Sequence, residues 1–125
     1  MKFETVVAEL FTRIPHLEQV YRARLSYMLD EPPLAYVVFG DVLIPELERA
    51  LRENDVGMLH AYSLFLEDMA VSSNNDLALE NLMKVEIGEW LEFCANEDFL
   101  VPWLSQETKR LCGYTPGLAT QRRSR

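Results

Sequence analysis

Between Asp41 and Trp90 three segments carry apolar residues at helical spacing, joined by polar links of two to five residues. Leu43, Leu47, Ala50 and Leu51 share one face of a helix over 42–53. Leu59, Tyr62, Leu66 and Met69 do the same over 56–71, with Met58 and Phe65 beside them. Leu79, Met83, Ile87, Trp90 and Cys94 recur at i, i+4, i+8, i+11 and i+15 over 77–95. Links this short return each helix alongside its predecessor, which predicts antiparallel helical hairpins. Asp41, Asp55 and Asp76 stand where N-caps belong, because a short carboxylate accepts amides that a first helical turn leaves unbonded.

The flanking sequence is also helical. Phe3, Val6, Val7, Leu10, Phe11 and Ile14 form a wide apolar stripe, and Pro15 separates two helices or kinks one. Leu17, Val20, Tyr21, Leu25 and Met28 continue to about Leu29, before the loop Asp30-Glu31-Pro32-Pro33. Residues 34–39 have the composition of a strand, but no second strand-like segment exists to pair with them. A lone strand leaves its backbone unbonded, so a short buried helix is expected, broken or kinked at Gly40-Asp41. Asn96-Glu97-Asp98 is a further link, with Asp98 as cap. Leu100, Leu104 and Leu111 mark a last helix that stops at Gly113. The expected fold is all-α: six or seven short helices as stacked antiparallel hairpins, HEAT-like or an irregular helical bundle. The pairs 42–71 and 77–112 start about 35 residues apart, which suits a short solenoid. Residues 1–113 form a single domain on this reading, and 114–125 a basic, disordered tail.

Charge is distributed unevenly. The net is -8, yet residues 41–98 carry three basic against fourteen acidic groups, while 99–125 carry five basic and one acidic. A polyanionic centre repels phosphate, which argues against nucleic acid and anionic membranes and favours a cationic protein partner. No apolar run approaches the ~20 residues that span a bilayer, and Glu4 and Glu9 interrupt any secretory signal core. A cytoplasmic protein with Cys94 and Cys112 as reduced thiols is expected.

No phosphate loop, metal-ligand set or nucleophile with its base stands out, so neither catalysis nor a cofactor is expected. Glu86, Glu89 and Glu92 recur at i, i+3 and i+6, but the Glu-x-x-His step of bundle di-metal sites is missing. A solvated acidic face, or a surface for a partner's cations, suits them better than a metal. Glu67 and Glu89 flank apolar stripes, where each must bond a hydroxyl or arginine or else line a groove between hairpins. Cys94 has no lysine or histidine within a helical turn to make its thiol reactive, and His16 and His60 stand against no obvious serine–carboxylate pair. The candidate partner-binding residues are Glu67, Asp68, Asp76, Glu80, Glu86, Glu89 and Glu92.

Three stretches carry a family resemblance: Gly40-Asp41-x3-Pro45-x-Leu47, Phe65-Leu66-Glu67-Asp68-Met69-Ala70, and Val85-Glu86-Ile87-Gly88-Glu89-Trp90-Leu91. Over roughly residues 38–112 the chain is similar to small bacterial α-helical proteins encoded near polymorphic toxin genes. The resemblance implies an immunity protein that neutralises a toxin of a contact-dependent growth inhibition system. Toxic nuclease domains are basic because they bind phosphate-rich substrates, so an acidic inhibitor would be steered onto the same cleft. The alternative is a helical adaptor or homo-oligomerisation module without a toxin partner.

Overall fold

The computed structural model describes residues 1–26, 31–92 and 100–113, and of Val101 the backbone alone. The expected helix end at Met28 and Leu29, Asp30 of the loop, Cys94, the Asn96-Glu97-Asp98 link with its cap and the C-terminal tail lie outside the described residues.

Among the described residues the chain is all-helical, with six helices and no strand. A 3-10 turn, Phe3–Thr5, leads into α1 (Val6–Arg13). Ile14 leaves the helical region, and Pro15 opens α2 (Pro15–Arg24) at its first position, where a missing amide costs nothing. Helix α3 runs over residues 35–53 as three joined segments: Ala35–Val38, a π-helical turn Phe39–Leu43, and Ile44–Glu53. Asn54 ends it in the left-handed region at φ 51°, and the amide of Asp55 reaches back to the Ala50 carbonyl. Asp55 then caps α4 (Val56–Ser72), accepting the Met58 amide at 3.2 Å. Helix α5 runs over residues 77–92, as Leu77–Leu82, a second π-helical turn Met83–Gly88, and Glu89–Glu92. Asp76 caps it through the Leu79 amide, as its position implies. Instead of one last helix there is a 3-10 turn, Val101–Trp103, and then α6 (Gln106–Leu111). Gly113 comes after it at φ +62°, a conformation that favours glycine.

Of the break or kink expected at Gly40-Asp41, the break does not occur; a π-helical turn over Phe39–Leu43 interrupts the regular helix there, and Asp41 is not a cap. Pro45 has no amide with which to bond the Asp41 carbonyl four residues back, and in a regular helix its ring would collide with that carbonyl. The chain widens instead into a π-turn in which the Ile44 amide bonds Phe39 O. Arg24 of α2 approaches the bypassed Asp41 carbonyl, with Nη1 at 3.4 Å. Residues 34–39 are helical from Ala35 but only half buried. Val38 and Phe39 are in the core, while Leu34 and Tyr36 stay 54% and 40% exposed.

Helix α4 carries apolar residues around most of its circumference and packs against α3, α5 and α6. Leu59, Tyr62, Phe65, Leu66 and Met69 are buried, as are Leu43, Leu47, Ala50 and Leu51 of α3 and Leu79, Met83 and Ile87 of α5. Leu100, Leu104 and Leu111 close the same core. Arg13 fastens α1 to α4, pairing with Asp68 at 2.8 Å while its guanidinium lies over the Phe65 ring.

Among the described residues one charged side chain is buried with this core. Glu46 is 3% exposed. Arg49 Nε donates to its Oε2 at 2.6 Å and Arg24 Nη2 to its Oε1 at 3.2 Å, with His16 Nε2 3.9 Å away. Arg49 also reaches Glu53 at 2.7 Å. The hydrogen bond and charge of Glu46 hold the Arg49 guanidinium above its ordinary pKa, helped by Glu53. Glu46 is thereby the electrostatic clasp between α2 and α3. Replacing it with alanine (Glu46→Ala) should cost about 1 kcal/mol in a urea melt, since two ion pairs are lost but Arg24 and Arg49 can turn to water. Glu53→Ala, at the exposed end of the same network, should change stability by less than about 0.5 kcal/mol.

Candidate functional site

The two π-turns meet through a side chain. Glu86, in the π-turn of α5, extends its carboxylate over Gly40 in the π-turn of α3. A Cβ added at Gly40 would stand 3.1 Å from Glu86 Oε2. Four residues along α5, Trp90 Nε1 donates to Glu48 Oε1 at 2.8 Å and ties the same helices together. Glu48 is thus engaged across helices rather than by Arg52 at i+4, while Arg49 and Glu53, also at i, i+4, pair at 2.7 Å.

Glu86 shares its surroundings with Asp41 and Glu89. Burial, then the charges of Glu89 and Asp41, push its carboxyl above the usual glutamate range. Asp41 and Glu89 are both exposed. Among the described residues no salt bridge reaches any of the three. The result is an acidic ridge across α3 and α5 that no salt bridge among the described residues engages.

The remaining candidates occupy separate junctions. Glu67 accepts the amides of Glu107 and Thr108 at 3.1 and 2.9 Å and the Thr108 hydroxyl at 3.0 Å. Its carboxylate therefore caps α6, where the helix dipole favours negative charge; it bonds a neighbouring hydroxyl, the plainer of the two sequence expectations. Asp68 is held by Arg13. Asp76 accepts the Phe3 amide at 2.8 Å as well as capping α5, and these bonds, Phe3 first, lower its pKa. Glu80 pairs with Lys84 at 2.9 Å. Glu92 closes α5 and is not a free carboxylate. Of the seven, then, the structure brings Glu86 and Glu89 together and adds Asp41, whose capping position in the sequence concealed it.

Other reactive groups are subdued. The Cys112 thiol is pushed up to about 12 by burial, with Lys84 pulling the other way, and the residue's Cβ and backbone lie over Gly88. The Tyr62 hydroxyl is buried without a hydrogen-bond partner among the described residues, and burial, then Glu46, raise it to about 12. Among the described residues no group of three or more His, Cys, Asp or Glu is arranged to hold a metal ion. No helix among them is long and apolar enough to cross a membrane. What this constellation offers a charged neighbour is a directed negative field. No family model, curated protein or solved structure matches the chain.

The two shifted carboxylates have opposite consequences for stability. Glu86 holds its proton more tightly when folded, so its contribution is full below its unfolded pKa and is lost as pH rises through the folded value. Glu86→Gln should therefore match the parent in acid and exceed it at neutral pH in urea melts. Asp76 is shifted downward, so its contribution is full above its unfolded pKa and is lost as pH falls through the folded one. Asp76→Ala should be weaker at neutral pH, with the deficit closing in acid.

Proposed function

We propose that this protein is a cytoplasmic immunity-type inhibitor that binds and neutralises a basic toxin domain, with the α3–α5 ridge at the centre of the contact. The observation that carries the reading is the uncompensated group Asp41, Glu86 and Glu89. It lies where the first and third resembling stretches meet, Gly40-Asp41 beneath Glu86 and Glu48 beside Trp90. Like charges held together cost stability in the free protein, and a cationic surface arriving there relieves that cost. A nuclease is the favoured class of toxin, because its phosphate-binding cleft presents the required positive charge. The HEAT-like stacking of hairpins belongs to the same proposal and is supported by α4 packing against α3, α5 and α6.

An adaptor or self-associating module is the second reading, favoured by the exposed Leu34, Tyr36 and Leu77. Capture on the tagged protein from its native lysate at low salt, with mass spectrometry of the captured proteins, separates the two. The inhibitor reading expects one basic protein, released by high salt, toxic when expressed alone and harmless when co-expressed with this chain. The double variant Glu86→Lys/Glu89→Lys should slow that association by at least about tenfold and abolish protection. Unchanged capture and unchanged salt dependence in this variant would remove the ridge from the interface. Recovery of the protein alone as a defined oligomer would favour the second reading.

A further inference from the structure

Helix α4 keeps one apolar face in solvent. Val56, Leu64 and Val71 are 55%, 51% and 51% exposed, and Gly57, His60 and Asp68 among them are exposed too. At 3.6 residues per turn all six fall within about one third of the helix circumference, opposite the buried Tyr62 and Met69. Other exposed helix faces carry charge, as Arg22 and Arg24 do on α2 and Arg52 and Glu53 on α3. On α4 the charged side chain is Asp68, whose Oδ2 already pairs with Arg13 at 2.8 Å. Depletion of charge is what marks the centre of a protein contact. Gly57 is an independent sign. Gly40 lies under Glu86, Gly88 against Cys112, and Gly113 has φ +62°, but a Cβ at Gly57 would meet only Asp55 Oδ1, at 3.8 Å. Nothing in its own fold calls for a residue that forms helix less well than alanine.

We propose that this face pairs with a second copy of the chain, α4 lying antiparallel on α4 about a two-fold axis at Leu64. The face is graded along its length, with bare backbone at Gly57 and large side chains at Leu64 and Val71. Such an axis brings residues equally far before and after Leu64 level with each other. Val71 then stands over Gly57 of the other copy, and Leu64 meets Leu64. His60 comes level with Asp68, which is 61% exposed and whose Oδ1 has no partner among the described residues. Each dent is thereby filled, and a donor is set against an acceptor, on both sides of the axis. A parallel pair would put Gly57 on Gly57 and Asp68 on Asp68, leaving a gap at one level and two carboxylates facing at another. From Gly57 to Val71 the contact runs about 21 Å, about four helical turns. Each copy carries a net charge of -8, so two copies repel over most of their surface and meet at least cost where charge is sparse. None of these residues belongs to the ridge of Asp41, Glu86 and Glu89. The pairing therefore stands apart from the toxin reading, and a dimer can bear a ridge on each copy.

Sedimentation velocity of the full-length protein over a concentration series tests the pairing. The parent should pass reversibly from monomer to dimer, with concentration-dependent amide shifts centred on the exposed face of α4. Leu64→Glu, at an exposed position, sets two carboxylates on the axis and should weaken the dimer by at least about tenfold. Gly57→Leu separates pairing from folding. Leucine is the better helix former and the site is open, so the monomer should melt no lower than the parent. The dimer should nevertheless weaken by at least about tenfold, because Val71 of the other copy loses its space. A parallel pair would instead be tightened by that change, and this result would overturn the proposal. So would a monomer at every concentration, a dimer indifferent to Leu64→Glu, or another protein bound to this face by a chain that stays monomeric.

Discussion

The arrangement depends on a carboxylate in the wrong place by composition and the right place by geometry. Glu46 is buried on α3 along with Leu43, Leu47 and Ala50. An unpaired charge there would be untenable, so α2 must lie where Arg24 can reach it, and Arg49 must fold back along α3. That single requirement sets the α2–α3 packing. It also leaves Arg24 beside the Asp41 carbonyl, which Pro45 cannot serve. A sequence-local defect and a non-local ion pair are thus resolved by the same guanidinium.

The acidic ridge is a consequence of this solution. The π-turn that accommodates Pro45 keeps α3 continuous through Gly40 and carries Asp41 on its outer side. A residue with no side chain at position 40 leaves room for Glu86 to lie across the helix. Most other carboxylates of the acidic middle are consumed as caps or pairs: Asp55 and Asp76 at helix starts, Glu67 on α6, Asp68 with Arg13, Glu80 with Lys84. The charge that remains for a partner is therefore concentrated, although the acid in the sequence is spread over nearly sixty residues.

Local physics was readable from the chain. Helical periodicity located the buried faces of α3, α4 and α5, and the caps Asp55 and Asp76 were visible because each bonds an amide three residues away. What depends on distant residues was not. Glu67 finds its partners at positions 107 and 108, and Trp90 finds Glu48 across another helix. Asp41 resembled a cap because Gly40 and Pro45 both argue for a break, and a π-turn is an uncommon alternative. Glu46 gave one signal that could have been used: a charged residue on an apolar face, with an arginine three positions on. The same limit applies to the site. Glu86 and Glu89 were legible as neighbours on one helix, whereas a tally of acids could not tell which of them the fold had already engaged.

The central claim is that the fold gathers uncompensated negative charge at one place. Near-surface potentials, measured residue by residue from NMR relaxation induced by cationic and anionic paramagnetic cosolutes, test it without any partner. The amides around Asp41, Glu86 and Glu89 should show the strongest preference for the cationic cosolute, exceeding those around the capped Glu67 and the paired Asp68 and Glu80. A preference at the ridge no greater than at those engaged carboxylates would contradict it.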